Sequence, residues 1–463
     1  MEVTEPIILG YFLAMNSVYV FLLAASAVAI YLRQRELNVE NLNPILRSDS
    51  LPPITFIVPA FNEAKSIVFT LHNLMNLHYR YKEIILVNDG SSDQTMDALK
   101  DAFDLVKVPA AYPQSIHTRP IRAFYQSRTY ENLFVIDKEN GGKPDALNAG
   151  INACSSPFFI ALDADTLVDN NFLNSLIRPI LMNPETIVAG ASVRVANGCK
   201  IELNRIVTYD TPRDFVTGIQ SVEYLRAFSL GRLGWEYLGG NLIVSGAFGI
   251  FQKEAALKVH GYDVETVGED MDIIVRLHCY MTEHRLPYKI TYIPDPVAWT
   301  EVPDNFRTLE KQRERWHRGL VQCLWRNKKM FFNPRYKALG LFVFPFFVLG
   351  DAISPLIELI GYCICIAGFW FGLIDVDFFA LFFLSAWGFT TVMTLLCIFM
   401  EEVTYRQYAT IRSVFMMIFC AFLESFGFRQ MTVLWRVKAV FRSMKRKPVK
   451  YEMEKRGFRT LSR

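Results

Sequence analysis

The chain changes texture three times along its length. Ile7 to Leu32 is an uncharged run of 26 residues, long enough to cross a bilayer as one helix. Residues 51–300 instead carry short runs rich in Ile, Val and Phe: "ITFIVPAFNE", "EIILVNDGSSD", "NLFVIDKENGGK" and "PFFIALDADT". Each run ends in polar or Gly-rich residues, and helical patterns separate them. This alternation predicts an α/β domain with a mostly parallel sheet covered on both faces. In such sheets ligands sit beyond the carboxyl ends of the strands. Asn62–Glu63, Asn88–Asp89, Gly141–Lys143 and Asp163–Asp165 all fall at that edge. From Leu339 the pattern turns apolar again. Leu339 to Ile374, broken by Asp351, Pro355 and Glu358, reads as two crossings; Phe378 to Met400 reads as a third, and Ser413 to Phe428, interrupted by Glu424, as a fourth.

Charge orients these segments. Glu2 and Glu5 precede the first apolar run, and Arg33 and Arg35 follow it. That order disfavours a cleaved signal peptide and puts residue 33 onward on the cytoplasmic side. From Arg429 to Arg463 there are twelve Lys or Arg against two Glu, which favours the same side. An even number of C-terminal crossings, about four, satisfies both. The expected organisation is a transmembrane helix over 1–35, a cytosolic catalytic domain over 51–300, interfacial helices over 301–337, transmembrane helices over 338–428 and a basic cytosolic tail over 429–463. The net charge of only +3 and the tail's position after a membrane segment argue against nucleic acid as a partner. The eight cysteines show no metal-ligand spacing and read as reduced packing residues.

The polar clusters suggest chemistry. Asp163 and Asp165 in "ALDADT" share one face of a strand end; two adjacent carboxylates repel unless a cation joins them, and oxygen ligands suit Mg²⁺ or Mn²⁺. A helix cap is the plainer reading of the pair. In "VNDGSSD", Asp89 could bond a nucleobase or ribose, with Asp93 capping a helix. In "ENGGKPDALNAG" two glycines bring backbone close to a phosphate and Lys143 adds charge. The P-loop spacing and the dinucleotide fingerprint are both absent, which favours a plain nucleoside diphosphate. "VGEDMDI" carries Glu269, Asp270 and Asp272, either an acidic first helical turn or a general base. "LEKQRERWHRGL" surrounds Trp316 with arginines just before the apolar C-terminal region.

In this order, "VPAFNE", "VNDGSSD", "GGK", "DAD", "ED" and "QRERW" resemble the inverting family 2 glycosyltransferases, and among them the membrane-embedded processive synthases of cellulose, hyaluronan, chitin and poly-N-acetylglucosamine. The resemblance runs from about Ile54 to Leu320. Asn88 stands where many members have Asp, and "GED" replaces the commoner T-E-D. The resemblance implies a GT-A-type nucleotide-sugar domain inserted between N- and C-terminal transmembrane helices. It implies that Ala60, Asn62, Glu63 and Asp89 line the uridine pocket and that Lys143 approaches the nucleotide. Asp163 and Asp165 would hold Mg²⁺ or Mn²⁺ and the diphosphate. Asp270, next to Glu269, would be the base. Gln312, Arg315 and Trp316 would meet the diphosphate and the terminal acceptor sugar, and Ser245 to Gly249 the acceptor side. The implied function is extension of a β-linked polysaccharide from a UDP-sugar, with translocation across the cell (inner) membrane by a multi-pass protein whose catalytic domain is cytoplasmic. The growing polysaccharide, the bilayer and accessory secretion or regulatory subunits are the expected partners. Transfer of one sugar to a membrane lipid is the alternative, and a non-enzymatic receptor or transporter a third.

Overall fold

The computed structural model describes residues 4–39, 51–109, 112–170, 172–202, 205–208, 210–212, 214–372, 376–405 and 410–443. The chain divides into two compact units. Of the described residues, one comprises those within Arg33–Thr208 and Asn241–Glu301; the other comprises the N-terminal helix to Leu32, those within 209–240 and those from Val302 to Ser443.

The first unit is built on a ten-stranded sheet. Its strands are β1 (Ile54–Ala60), β2 (Lys82–Asn88), β3 (Leu105–Val108), β4 (Ile121–Ser127), β5 (Leu133–Lys138), β6 (Phe158–Leu162), β7 (Thr166–Val168), β8 (Thr186–Val195), β11 (Phe248–Gln252) and β12 (Lys289–Thr300). β9 (Lys200–Glu202) and β10 (Arg205–Thr208) form a separate pair. The order is β3-β4-β5-β2-β1-β6-β11-β8-β12-β7. The four runs read from the sequence are the neighbours β5, β2, β1 and β6, all parallel. Their carboxyl ends therefore share one edge. The flanks differ from expectation: β3 and β4 run antiparallel at one side, β11 runs antiparallel between β6 and β8, and β7 antiparallel to β12.

Burial on both faces explains the continuous apolar runs; Ile54, Phe56, Ile57 and Val58 of β1 are wholly buried. Each such side chain contributes about 1.5–3 kcal/mol on leaving water. The β6–β11 pair is reinforced by Phe159 opposite Phe251, stacked at 5.3 Å. The helix Lys143–Ala153 lies so close to β1 that a Cβ at Gly150 would come within 2.2 Å of Ile57 Cγ2. That contact packs the second half of the helix against the middle of β1.

The second unit is helical. By length and composition Leu9–Glu36 and Ile411–Ser443 can each cross a membrane. Leu339–Ala352 and Ser354–Trp370 make a pair bent by 45°. Two successive crossings would reverse direction, so this pair is one broken span or a re-entrant segment rather than the two crossings read over Leu339 to Ile374. Helical structure runs from Val376 to Tyr405. The last helix is interrupted at Phe426 and Gly427, where Gly427 takes φ +80°.

Residues 209–240, expected within the catalytic domain, pack in this helical unit. The reason is a set of polar ties. Arg226, on the helix Phe215–Arg226, makes a two-pronged pair with Glu424 at 2.5 and 2.7 Å and bonds Thr394. Ser229 reaches Glu401 at 3.3 Å, and Gly218 leaves room for Cys420. Arg429 pairs with Glu358 at 3.2 Å. Glu358 and Glu424, two of the acidic residues that looked like interruptions of apolar segments, are thus buried and matched by arginines, as low dielectric demands. The basic tail is helical to Ser443, where Lys438 and Arg442 pair with Glu310 and Glu314. Its remainder lies outside the described residues.

Candidate active site

The carboxyl edge of the parallel strands carries two linked constellations. The first is structural. Lys138, the last residue of β5, is wholly buried, and its ammonium lies 2.7 Å from Asp89 Oδ1 and 2.5 Å from Asp145 Oδ1. Asp89 also accepts from the backbone N–H groups of Gly141 (3.0 Å, to Oδ1) and Gly142 (2.7 Å, to Oδ2). Asn140 donates to the Asp89 carbonyl at 2.8 Å. Both oxygens of Asp89 are therefore occupied, and its carboxylate shapes the Gly141–Gly142 turn. Gly142 takes φ +89° there, which suits a residue without Cβ. The sequence had given this carboxylate a nucleoside contact.

Asn62 behaves similarly. At φ +57°, its side-chain oxygen accepts from Ser92 N–H at 2.9 Å and Asp93 N–H at 3.3 Å, tying the loop after β1 to the loop after β2. Asp93 accepts from the Thr95 N–H at 3.0 Å and from the Thr95 hydroxyl, one residue ahead of Gln94, the cap position of the helix Thr95–Phe103. Glu63 is buried; its N–H donates to Thr95 Oγ1 and its carboxylate accepts from Ser66 at 2.7 Å. The Ala60 carbonyl accepts from Asp89 N–H at 2.9 Å. The four residues expected at the uridine pocket are gathered at one edge, but Asn62 and Asp89 hold it together with their side chains.

The second constellation is chemical. Lys143 starts its helix with the ammonium 2.5 Å from Asp163 Oδ1, 3.8 Å from Glu269 Oε1 and 2.8 Å from the Gly246 carbonyl. Asp270 sits beside Glu269 in the first turn of the helix Glu269–Glu283. A Cβ at Gly246 would come within 2.8 Å of Asp270 Oδ2, so glycine is what admits that carboxylate. Lys143, Ser245, Gly246, Tyr262, Glu269 and Asp270 line one recess. Burial and the carboxylates of Glu269, Asp270 and Asp163 push the Tyr262 phenol well above its ordinary range. Asp165 is buried in the turn between β6 and β7. Asp272, third in the acidic turn, pairs with Arg276 at 2.6 Å and is structural.

The donor type fits a hard cation: Asp163 and Asp165 follow β6 as oxygen donors two residues apart, and Asp163 is the more open of the two, with one oxygen on Lys143 at 2.5 Å. Among the described residues no three His, Cys, Asp or Glu side chains converge to cage a metal. An ion here would complete its shell with phosphate oxygens and water, as Mg²⁺ commonly does.

The tryptophan motif belongs to the helical unit. The helix Phe306–Arg326 is capped by Asn305, which accepts from Thr308 N–H at 2.9 Å. Gln312, Arg315 and Trp316, at spacings of three and four, share a face. Gln312 is buried, with Oε1 unpartnered among the described residues. Arg313 lies over the Trp316 ring at 4.6 Å and is anchored by Glu223 at 2.5 Å. The Tyr224 ring approaches at 6.3 Å. Trp316 nonetheless remains 39% exposed.

The Glycosyl transferase family 2 model matches residues 55–232, and the Glycosyl transferase family group 2 model matches residues 158–423. The latter covers more than half of the chain. The protein belongs to glycosyl transferase family group 2. Like these glycosyltransferases, the poly-beta-1,6-N-acetyl-D-glucosamine synthase of Staphylococcus aureus (strain COL) is similar: 28% identical over 307 residues, 66% of this chain and 63% of that protein. The chain therefore spans less than two thirds of that relative's length. The synthase of the same name from Staphylococcus epidermidis (strain ATCC 35984) is 26% identical over 343 residues, 74% of this chain and 69% of that protein. The mannosyltransferase PcManGT from Pyrobaculum calidifontis, solved with GDP-Man and Mn²⁺, shares the fold at TM-score 0.51 and 16% identity, over 95% of this chain and 100% of that one.

Sequence reasoning missed Lys138, Asp145, Tyr262 and Glu223, while it found Arg313 as one of the arginines around Trp316. Lys138 left one signal, a lysine ending an otherwise apolar strand directly before the glycines. Tyr262 and Glu223 left none.

Proposed function

We propose that this protein is a membrane-bound inverting glycosyltransferase that extends a β-linked polysaccharide from a UDP-sugar. The observation that carries the reading is the joining of Lys143, Asp163, Glu269 and Asp270 around Gly246 at the sheet's carboxyl edge. The poly-N-acetylglucosamine synthases among the relatives favour UDP-N-acetylglucosamine as donor.

In this reading Asp163 and Asp165 hold Mg²⁺ or Mn²⁺, which would offset the negative charge growing on the departing diphosphate. Lys143 supplies a second positive charge from the turn that Asp89 and Lys138 shape. Ala60, Asn62 and Glu63 bound the nucleoside end, with Asn62 acting through the loops it ties. Asp270 takes the proton of the acceptor hydroxyl as that oxygen attacks the anomeric carbon and UDP leaves from the opposite side. Glu269 holds Lys143 in place. Arg315 suits phosphate oxygens through its planar fork. Trp316, backed by Arg313 on one face, offers the other to the terminal acceptor sugar, and Gln312 supports it. The helical unit would carry the product across the membrane, with the catalytic unit on the cytoplasmic side.

The test is donor binding. Purified full-length protein should bind UDP with an affinity that falls on chelation of divalent ions, and Asp165→Ala should remove that dependence. Equal UDP affinity with and without Mn²⁺ in the unsubstituted protein would overturn the metal assignment.

A further inference from the structure

The proposed reaction uses no residue of the helix Phe215–Arg226. Asp214 caps that helix, accepting from Thr217 N–H at 2.9 Å. Two more ties hold it. Gln220 donates to the Pro303 carbonyl at 2.6 Å, in the chain leading into the helix Phe306–Arg326, and Arg226 pairs with Glu424. Between these ties stand Glu223 and Tyr224, and both meet one turn of the helix that carries Trp316. Glu223 Oε2 lies 2.5 Å from Arg313 Nη2, and the two side chains are only 11% and 8% exposed. The Tyr224 ring lies 6.3 Å from the Trp316 ring, tilted by 48°.

Arg313 and Trp316 stand three residues apart on one face of their helix. The guanidinium carbon sits 4.6 Å from the indole centre, a cation–π contact. A guanidinium this buried needs a counter-charge. Its own helix offers Glu310 and Glu314, but these pair with Lys438 and Arg442. Glu223 therefore sets where the Arg313 guanidinium rests, and the guanidinium covers one face of the indole. Trp316 stays 39% exposed, so the ring is held and still accessible. A neutral pair would serve helix packing equally well; it would not hold a cation against the indole.

We infer that Glu223 is a positioning residue for sugar transfer: acting through Arg313, it fixes the orientation in which Trp316 meets the terminal acceptor sugar. The inference rests on the acceptor role proposed for Trp316. A sugar stacks on an indole only when the ring plane is presented to it. A ring free to turn about its side-chain bonds presents that plane part of the time, and the attacking hydroxyl is then misplaced. Glu223 touches neither donor nor acceptor in this account; its effect passes wholly through the guanidinium.

The experiment uses the full-length protein in lipid, with UDP-N-acetylglucosamine as donor. The Trp316 signal is the emission lost on adding Trp316→Phe to each background, and its quenching by acrylamide reads how freely the ring is exposed. Glu223→Gln should raise that quenching and lower polymer yield on the order of tenfold, with UDP affinity unchanged. Arg313→Gln should do the same. Glu223→Gln/Arg313→Gln restores a neutral hydrogen-bonding pair. It should recover the thermal stability lost in either single variant, yet keep the low yield and the raised quenching. Glu223→Asp, which keeps the charge, should retain more yield than Glu223→Gln. Recovery of yield together with stability in the double variant, or unchanged Trp316 quenching in Glu223→Gln, overturns the inference. Absence of polymer from the wild-type protein overturns the proposed function instead, and the quenching still decides whether Glu223 holds the ring.

Discussion

Replacing Lys138 by Met keeps the side chain's length and removes its charge. In the native fold that ammonium is wholly buried between Asp89 and Asp145, at 2.7 and 2.5 Å. The variant leaves two carboxylates facing each other with only backbone donors: Gly141 and Gly142 on Asp89, and Arg119 on Asp145. Breaking a buried ion pair from one side costs about 3–5 kcal/mol, a large share of a domain's typical stability. The turn between β5 and the helix Lys143–Ala153 should bear that cost first, because Asp89 holds its two glycine amides. Hydrogen exchange of peptides covering residues 139–147 should therefore speed up on the order of 10²–10³-fold. UDP affinity should fall with it. Adding Asp89→Asn and Asp145→Asn should recover part of the protection. Exchange within twofold of wild type would refute the claim that Lys138 holds the donor-side turn.

Three further outcomes are expected. Asp270→Asn should lower sugar transfer about 10²–10⁴-fold while UDP binding survives, measured by turnover beside calorimetry; near-normal turnover would remove Asp270 from the reaction. Trp316→Ala should lose polymer yet keep UDP binding, with Phe restoring more yield per folded protein than Leu; equal rescue by Leu and Phe would make Trp316 an ordinary membrane-surface residue. His278 is buried, donating to the Asn241 carbonyl at 2.8 Å and accepting from Tyr288 at 2.9 Å, and burial pushes it from 6.5 down to about 4. Its folded pKa is depressed, so stability is full above pH 6.5 and declines as pH falls toward 4, by about 3 kcal/mol. Thermal unfolding at pH 7 and pH 4.5 should show a smaller acid loss in His278→Gln than in wild type; identical losses would sink the assignment.

The sequence made the centre of the sheet legible and its margins obscure, for a physical reason. β1, β2, β5 and β6 are buried on both faces, so they stand out as unbroken apolar runs ending in polar residues. The antiparallel strand β11, "FGIFQ", is as buried but too short to separate from the helix that follows it. Residues 209–240 were misassigned because contiguity in sequence suggested one domain, whereas the ties of Arg226 and Ser229 to Glu424 and Glu401 link positions far apart in the chain. Asp89 was found as a residue but its bonding was not, because its partner Lys138 lies on another strand and looked like part of a solvated end. Glu424 and Glu358 read as breaks in apolar segments because their arginine partners, Arg226 and Arg429, come from distant helices.

The central claim, polymer synthesis from a UDP-sugar, is tested most directly by product analysis. Purified full-length protein in lipid would be given a panel of radiolabelled UDP-sugars with Mg²⁺ or Mn²⁺, and the products sized and digested with linkage-specific glycosidases. The account predicts a ladder of long β-linked chains from one donor, UDP-N-acetylglucosamine, abolished in Asp270→Asn. A single labelled glycolipid, or no transfer from any UDP-sugar, would contradict it.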